Sequence, residues 1–315
     1  MKPSSAILIL LAGLCAASAQ AATRIDLGAA RDYSGFFFGD ASRVMDVEGR
    51  LAVGGSLQTS GFSIGYRAPY GSSAASLVVG GDVKLGTGAI FGPPKTNIDT
   101  NASTGPITSW EKPLGYGVYG GKNQSLSVHD LRQGKPLDFA AAHGKLTQLS
   151  SDLSKLAANG VVEQKWGGLY LSGDGQAHTQ VFNLHTNQLS NLYLQNVRSD
   201  AQVVVNVFGA PGNYTFAGGQ DGQLEALRDR VLFNFVNASD VKISTFTWGS
   251  ILATGANISG TGHIEGSVMA HSINAQVEIG YEPWHTPSAV PEAHTWAMLL
   301  GGLGLLGWAA RRRRA

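Results

Sequence analysis

The chain has 315 residues, 42 of them glycine, with 14% charged residues, 23 basic and 22 acidic side chains and one cysteine. Its apolar fraction is high enough to bury a core, which excludes a disordered chain, and a lone cysteine excludes a disulfide scaffold. Setting aside Lys2 and Arg311 to Arg314 among the bases and Glu292 among the acids leaves residues 22–289 with an acidic excess of three and no basic run, which argues against nucleic acid as a partner.

The N-terminus reads as an export signal. Lys2 gives a short basic start, Ala6 to Leu14 is apolar, and small residues follow from Ala16 to Ala21, the three-part pattern of a secretory signal peptide. We expect residues 1–21 to be removed after Ala21 (cleavage after Ala19 fits as well), with Sec-type export machinery as the first partner. Cys15 lies in that segment, and Leu14 before it does not suit a lipoprotein signal. The mature chain therefore has no thiol nucleophile, and its core and ladder hydrogen bonds alone must hold it.

Asp40, Asp46 and Glu48 form the densest polar constellation. In a strand from Asp46 to Arg50, the side chains of Asp46, Glu48 and Arg50 share one face. Two readings stand: a Ca2+ or polar-ligand face, since hard cations take several oxygen ligands, or a solvated face with an ion pair between Glu48 and Arg50. A carboxylate pair for hydrolysis needs a cleft and a set separation, and the sequence indicates neither.

Short strand-prone runs then meet Gly-Gly turns at Arg50–Gly55, Ser76–Gly81 and Tyr116–Gly121. Between Gly65 and Gly121, Tyr66, Tyr70, Trp110, Tyr116 and Tyr119 fall in glycine- and proline-rich sequence. Exposed aromatics there can contact a ligand such as a sugar or a partner protein, or they can cover the open end of the β structure. From Asp138 to Asn159 the pattern changes. Phe139, Ala142, Leu146, Leu149, Leu153 and Leu156 make one stripe of an amphipathic helix, with Asp138 as N-cap and Asn159-Gly160 suiting the end. The stripe is expected to pack along the flank of the β structure.

Strand-like runs return at Gly168–Leu171, Val203–Phe208, Val231–Val236 and Lys242–Thr247. Gly249-Ser250-Ile251-Leu252-Ala253 then recurs as Gly266-Ser267-Val268-Met269-Ala270, a shift of 17 residues. Short strands, glycine turns and internal repetition predict a mostly β chain, a β-solenoid (β-helix) with one long helix about 138–159 on its flank. None of the eight histidines has metal-ligand spacing. Gly173-Asp174-Gly175 opens no helix and reads as a turn, and no Gly-x-Ser-x-Gly elbow occurs. No catalytic residue and no cofactor is expected.

The tail runs from Val290 to Ala315: Val290-Pro291-Glu292, an apolar stretch from Thr295 to Ala310, and Arg311, Arg312, Arg313 and Arg314. As a helix at about 1.5 Å per residue, 295–310 covers roughly 24 Å, near the roughly 30 Å of a bilayer core. A C-terminal transmembrane helix with its arginines in the cytoplasm is predicted. The tail resembles the PEP-CTERM sorting signal, with Ala293 where that motif carries its second proline. The resemblance implies an exosortase-like membrane transpeptidase as partner, cutting near the motif and engaging the membrane at least transiently; a permanent anchor is the alternative.

Phe36 to Gly65, the helix start Leu137–Ala142 and Phe233 to Gly266 resemble the choice-of-anchor A family of exported bacterial domains, grouped with surface adhesins. The resemblance covers roughly Asp32 to Trp284. The helix beside a β-solenoid is also similar in layout to ice-binding domains, but no sustained Thr-x-Thr ladder is present. Together these imply an exported, non-enzymatic surface or matrix protein of a Gram-negative envelope, adhesive or structural, with extracellular polysaccharide or a matrix protein as partner. A secreted carbohydrate-active β-helix enzyme and, further off, an ice-binding-like protein are the alternatives.

Overall fold

The computed structural model describes residues 25–67, 74–92, 114–134 and 137–285. The signal segment, Tyr70, Trp110 and the whole tail, including the transmembrane helix expected at 295–310, lie outside these. Among the described residues no helix is long and apolar enough to cross a membrane.

The described strands fall into an 18-stranded and a 6-stranded sheet. Every pairing between them is parallel except the hairpin of Val161–Lys165 with Gly168–Ser172. Parallel neighbours need a crossover connection between them, so alternation in each short strand faces the same way along the ladder. Leu51, Val53, Leu77 and Val79 point inward and are fully buried, as are Val231, Phe233, Ile251 and Val268. The 17-residue repeat is one such step, with Ile251 opposite Val268 and Ala253 opposite Ala270.

Chain order and ladder order differ. The strand Gly35–Phe37 pairs on one side with Leu51–Val53 and on the other with Val268–Asn274. The first strand thus lies against one of the last, in the middle of the ladder. From there the early strands continue through Leu77–Val79 and Gly117–Tyr119 to Leu131–Gln133. The late strands approach the same middle from the opposite end, through Thr179–Leu184, Gln202–Val207, Val231–Phe235 and Ser250–Gly260.

The helix lies across this ladder. It spans Phe139–Ser154, with the Asp138 carboxylate accepting from the Ala141 amide at 2.9 Å. Sixteen residues give roughly 24 Å of helix, the width of about five strands spaced near 4.8 Å. Its apolar stripe packs on Phe36, Ala52, Met269, Leu252, Leu232 and Val204, the outward residues of successive strands. Strands covered on both faces lose alternation: Val231–Phe235 is buried throughout.

Two local expectations are corrected. The helix stops at Ser154, capped by Lys155 rather than at Asn159-Gly160. Asn159 is instead pinned to the sheet, its amide donating to the Thr179 carbonyl at 2.9 Å and its oxygen accepting from Val181 N and Gln180 Nε2, each at 2.7 Å. Lys242–Thr247 is not one strand. Ala238–Ile243 ends before Ser244-Thr245, and Phe246–Trp248 begins the neighbouring sheet, so a corner hides in a run of uniform β propensity.

Beneath the helix three asparagines stack in register: Asn183 opposite Asn206, and Asn206 opposite Asn234. Asn234 donates to Asn206 Oδ1 at 2.9 Å and to the Ser150 carbonyl at 3.0 Å, and accepts from Ser150 Oγ at 2.6 Å. Asn206 donates to the Leu153 carbonyl at 2.9 Å, a last-turn carbonyl that also accepts from the Leu156 amide at 3.2 Å. Asn206 and Asn234 are fully buried.

Candidate functional site

The six-stranded sheet carries its hydrophobic residues inward and its charge outward. Ile264, Ile279, Val47 and Ile64 are fully buried in the core, and the residues alternating with them face outward. Parallel register aligns these into rows. His263 sits opposite Phe246 on one side and Glu278 on the other, Ile279 opposite Val47 sets Glu278 beside Asp46, and Asp46 sits opposite Ser63.

The rows are linked by charge. His263 Nδ1 lies 3.1 Å from Glu278 and its Nε2 lies 3.2 Å from Glu265, with the Phe246 ring stacked 4.4 Å away. Arg67 joins three segments, donating to Glu48 and lying 3.4 Å from Glu265 and 4.0 Å from Glu282. Arg228 donates to Glu282 at 2.8 Å. Gly280 stands in the row between Glu265 and Glu48, and a Cβ there would meet the Glu265 carboxylate; the missing side chain is what lets Glu265 reach Arg67. Five carboxylates thus surround two guanidinium groups and one imidazole. The network ties together Asp46–Arg67, Arg228 and His263–Glu282, the segments that meet in the middle of the ladder.

Burial pushes the Asp46 carboxyl up to about 6, helped by the charges of Glu278 and Glu48 and opposed by Ser63 and His263. Burial likewise raises Glu48 and Glu282 against the pull of Arg67 and Arg228. For His263, burial works against the charged form, but hydrogen bonds to Glu265 and Glu278 outweigh it and raise the pKa. The sign follows for Asp46. Its folded pKa lies above the ordinary 3.8, so the stabilisation it brings is complete below about pH 4 and is lost as the pH rises through about 6. His263 shifts in the same sense. Asp46→Asn is expected to raise stability at pH 7.5 by about 1–2 kcal/mol and to flatten the decline between pH 4 and 7, measured by urea denaturation across pH. Superimposable profiles of the variant and the parent would show that Asp46 is not the group responsible.

The predicted site residues separate in space. Asp40 leaves this face: its carboxylate accepts from the Ser56 amide at 2.7 Å. Asp46 and Glu48 join the network, while the strand expected over Asp46–Arg50 is limited to Asp46–Val47. The expected Glu48–Arg50 pair is replaced. Arg50 donates to the Ala75 carbonyl at 2.9 Å and to Tyr33 Oη at 3.2 Å, and Glu48 takes Arg67. Among the described residues no three His, Cys, Asp or Glu side chains are grouped to hold a metal ion. Tyr66 meets Phe91 edge-on at 5.5 Å, Tyr116 lies under the Arg132 guanidinium at 3.8 Å, and Tyr119 packs against the core. A depression of about 300 Å3 beside Tyr281 is lined by Arg31, Tyr33, Arg50 and Ser267.

Sequence reading missed Arg67, Arg228, His263, Glu265, Glu278 and Glu282. His263-Ile264-Glu265 and Glu278-Ile279 show the alternation of half-buried strands, a usable signal once the repeat is extended past Ala270. A separate exposed face aligns Lys242 with Ser259, and Asn274 with Ser42, Gln58 and Lys84. Its side chains bond along the ladder, Asp240 accepting from Asn257 at 2.9 Å and Ser259 at 2.6 Å. These rows mix charge, amide and hydroxyl and carry no threonine ladder.

Comparison with known proteins adds three findings. Residues 26–281 match the family model of an ice-binding-like adhesive domain, and residues 289–314 match the PEP-CTERM protein-sorting motif. No curated protein matches the chain. Similar solved structures include an ice-binding protein from the Antarctic ascomycete Antarctomyces psychrotrophicus, 14% identical over 84% of this chain and 100% of that one, with a TM-score of 0.35. They also include a glycosylated ice-binding protein (LeIBP) from an Arctic yeast, 13% identical over 86% of this chain and 100% of that one, with a TM-score of 0.36.

Proposed function

Because the chain belongs to the ice-binding-like adhesive domain family, we propose that it is an exported, non-enzymatic adhesive or structural module of a Gram-negative cell surface or extracellular matrix. The observation that carries this reading is the order of two matches on one chain, an adhesive-type domain over 26–281 followed directly by a sorting motif over 289–314. Sec-type machinery exports the chain, and an exosortase-like transpeptidase processes the tail near Pro291-Glu292 while 295–310 engages the membrane. The parallel ladders support a β-solenoid reading of the domain, of the choice-of-anchor A type. Its carboxylate-rich face serves as a clamp on that solenoid, since its arginines and histidine are committed to neighbouring carboxylates. A hydrated surface carrying Lys84, Asp240 and Lys242 suits a polysaccharide or protein matrix.

Mass spectrometry of the protein recovered from its host tests the sorting half. We expect a C-terminus near Glu292, and retention of the protein in the membrane of cells lacking the sorting enzyme. An intact Arg311 to Arg314 block on the mature protein would replace sorting by a permanent anchor. In the same preparation, binding to host cells or matrix is expected, and polysaccharide degradation without binding would favour the carbohydrate-active enzyme.

A further inference from the structure

The hairpin of Val161–Lys165 and Gly168–Ser172 turns on Trp166-Gly167, whose φ angles are +50° and +77°. A two-residue turn with both φ positive is ordinarily filled by Asn-Gly or Gly-Gly, and a bulky side chain in this region is strained. Trp166 is nevertheless 84% exposed, the most exposed large apolar side chain among the described residues. Neither backbone preference nor core packing accounts for an indole here, and an outlier of this kind points to function.

The indole is also held in place. It meets Tyr170 edge-on at 5.5 Å, and Tyr170 stacks on Tyr193 at 4.4 Å with ring planes 10° apart. The Lys165 ammonium lies 5.0 Å from the Trp166 ring and 4.8 Å from the Tyr170 ring. The tip is tied down from below by Asn191, whose side chain donates to the Gly167 carbonyl at 3.0 Å and accepts from the Gly219 amide at 2.9 Å. Polar groups border the aromatics: Lys165 pairs with Glu163 at 2.8 Å, Gln195 donates to Ser172 at 2.6 Å, and Asp221 stands opposite Tyr193.

We propose that Trp166, backed by Tyr170 and Tyr193, is a glycan-binding platform on which one pyranose ring of a polysaccharide stacks. A sugar ring offers one flat C–H face and a rim of hydroxyls. Here one fixed aromatic surface is bordered by a carboxylate, an ammonium and amides, the complementary set. A protein partner would ask for an apolar interface core spread over roughly 800 Å2 of this side, whereas Glu163 and Gln164 next to the tip are exposed and polar. This site rests on the adhesive reading and gives it a ligand class.

The test uses Trp166→Asn in the full chain expressed and processed in its host. Asparagine suits the turn, so the variant should fold at least as well as the parent, and thermal denaturation checks this. Affinity electrophoresis against polysaccharide isolated from the host matrix is expected to show affinity weakened about tenfold or more, with Trp166→Phe intermediate and Val128→Ala, an exposed apolar residue away from the platform, unchanged. If Trp166→Asn is retarded like the parent, the platform is wrong while adhesion stands. If the parent binds host cells but no polysaccharide, the glycan assignment is overturned. If it binds neither, the adhesive reading falls with it.

Discussion

Asn234→Ala is expected to lower the stability of the folded domain by about 3 kcal/mol. The side chain is fully buried between sheet and helix and makes three hydrogen bonds. Alanine removes all three, and what remains is costly: Ser150 Oγ and Asn206 Oδ1 lose their partner in a site closed to water, each at about 1–3 kcal/mol. Asn206→Ala should cost somewhat less, because the Leu153 carbonyl keeps the Leu156 amide and Asn234 keeps Ser150, each losing one partner rather than all. Asn183→Ala should cost less, since Asn183 is only partly buried at the edge of the ladder. Urea denaturation of the three variants, followed by far-ultraviolet circular dichroism, gives the ranking directly. A loss below about 0.5 kcal/mol for Asn234→Ala, the range of an ordinary surface change, would mean that apolar packing alone seats the helix.

Gly266→Ala is expected to cost more than about 3 kcal/mol or to prevent folding. A Cβ at Gly266 would fall on the backbone of the preceding turn, against the carbonyl of Gly249 and the amide nitrogen of Ser250. These atoms cannot retreat as the end of a flexible side chain would. Gly249 N is bonded to the Glu265 carbonyl and Ile251 N to the Ser267 carbonyl, which fixes the two levels against each other. Expression yield and a thermal melt suffice to test it. A variant melting within about 2 °C of the parent, a shift corresponding to less than about 1 kcal/mol in a domain this size, would show that the levels can separate without penalty.

Both predictions join features that the sequence displays very unequally. Gly266 is visible in the sequence, because the Gly-Ser pair recurs 17 residues apart and the spacing equals the ladder step from Ile251 to Val268. The asparagine ladder is not. Asn183, Asn206 and Asn234 are separated by unequal intervals, each holding a further parallel strand, Gln188–Gln195 and then Gly212–Gly222, and nothing in a local window marks them as neighbours. Asn234 even sits among Phe233 and Phe235, where a polar residue reads as the solvent side of a strand. Only the helix lying over that side turns it into a buried contact.

The carboxylate network divides in the same way. Asp46 and Glu48 stood out because their charges are close in sequence, yet the nearest partner predicted for Glu48, Arg50, turns to Tyr33 and Ala75 instead. The partners actually used, Arg67 and Glu265, come from other turns of chain. Trp166 was passed over for the opposite reason. A tryptophan beside Gly167-Gly168 looks like one more strand end until its positive φ and high exposure are seen.

By itself the sequence determined the β character, the single amphipathic helix, the glycine corners and the sorting tail. Each of these is set within a few residues by backbone period, turn conformation or apolar length. The tertiary structure decided that the strand Gly35–Phe37 lies between Leu51–Val53 and Val268–Asn274, so that early and late parts of the chain meet in the middle of one ladder. It also decided which charges share the outer face of the smaller sheet. The physical reason is that a strand's own pattern fixes which side is buried but leaves both of its edges open. The neighbour that fills an edge is selected by the burial and backbone pairing of the whole ladder, and here that neighbour lies more than two hundred residues away.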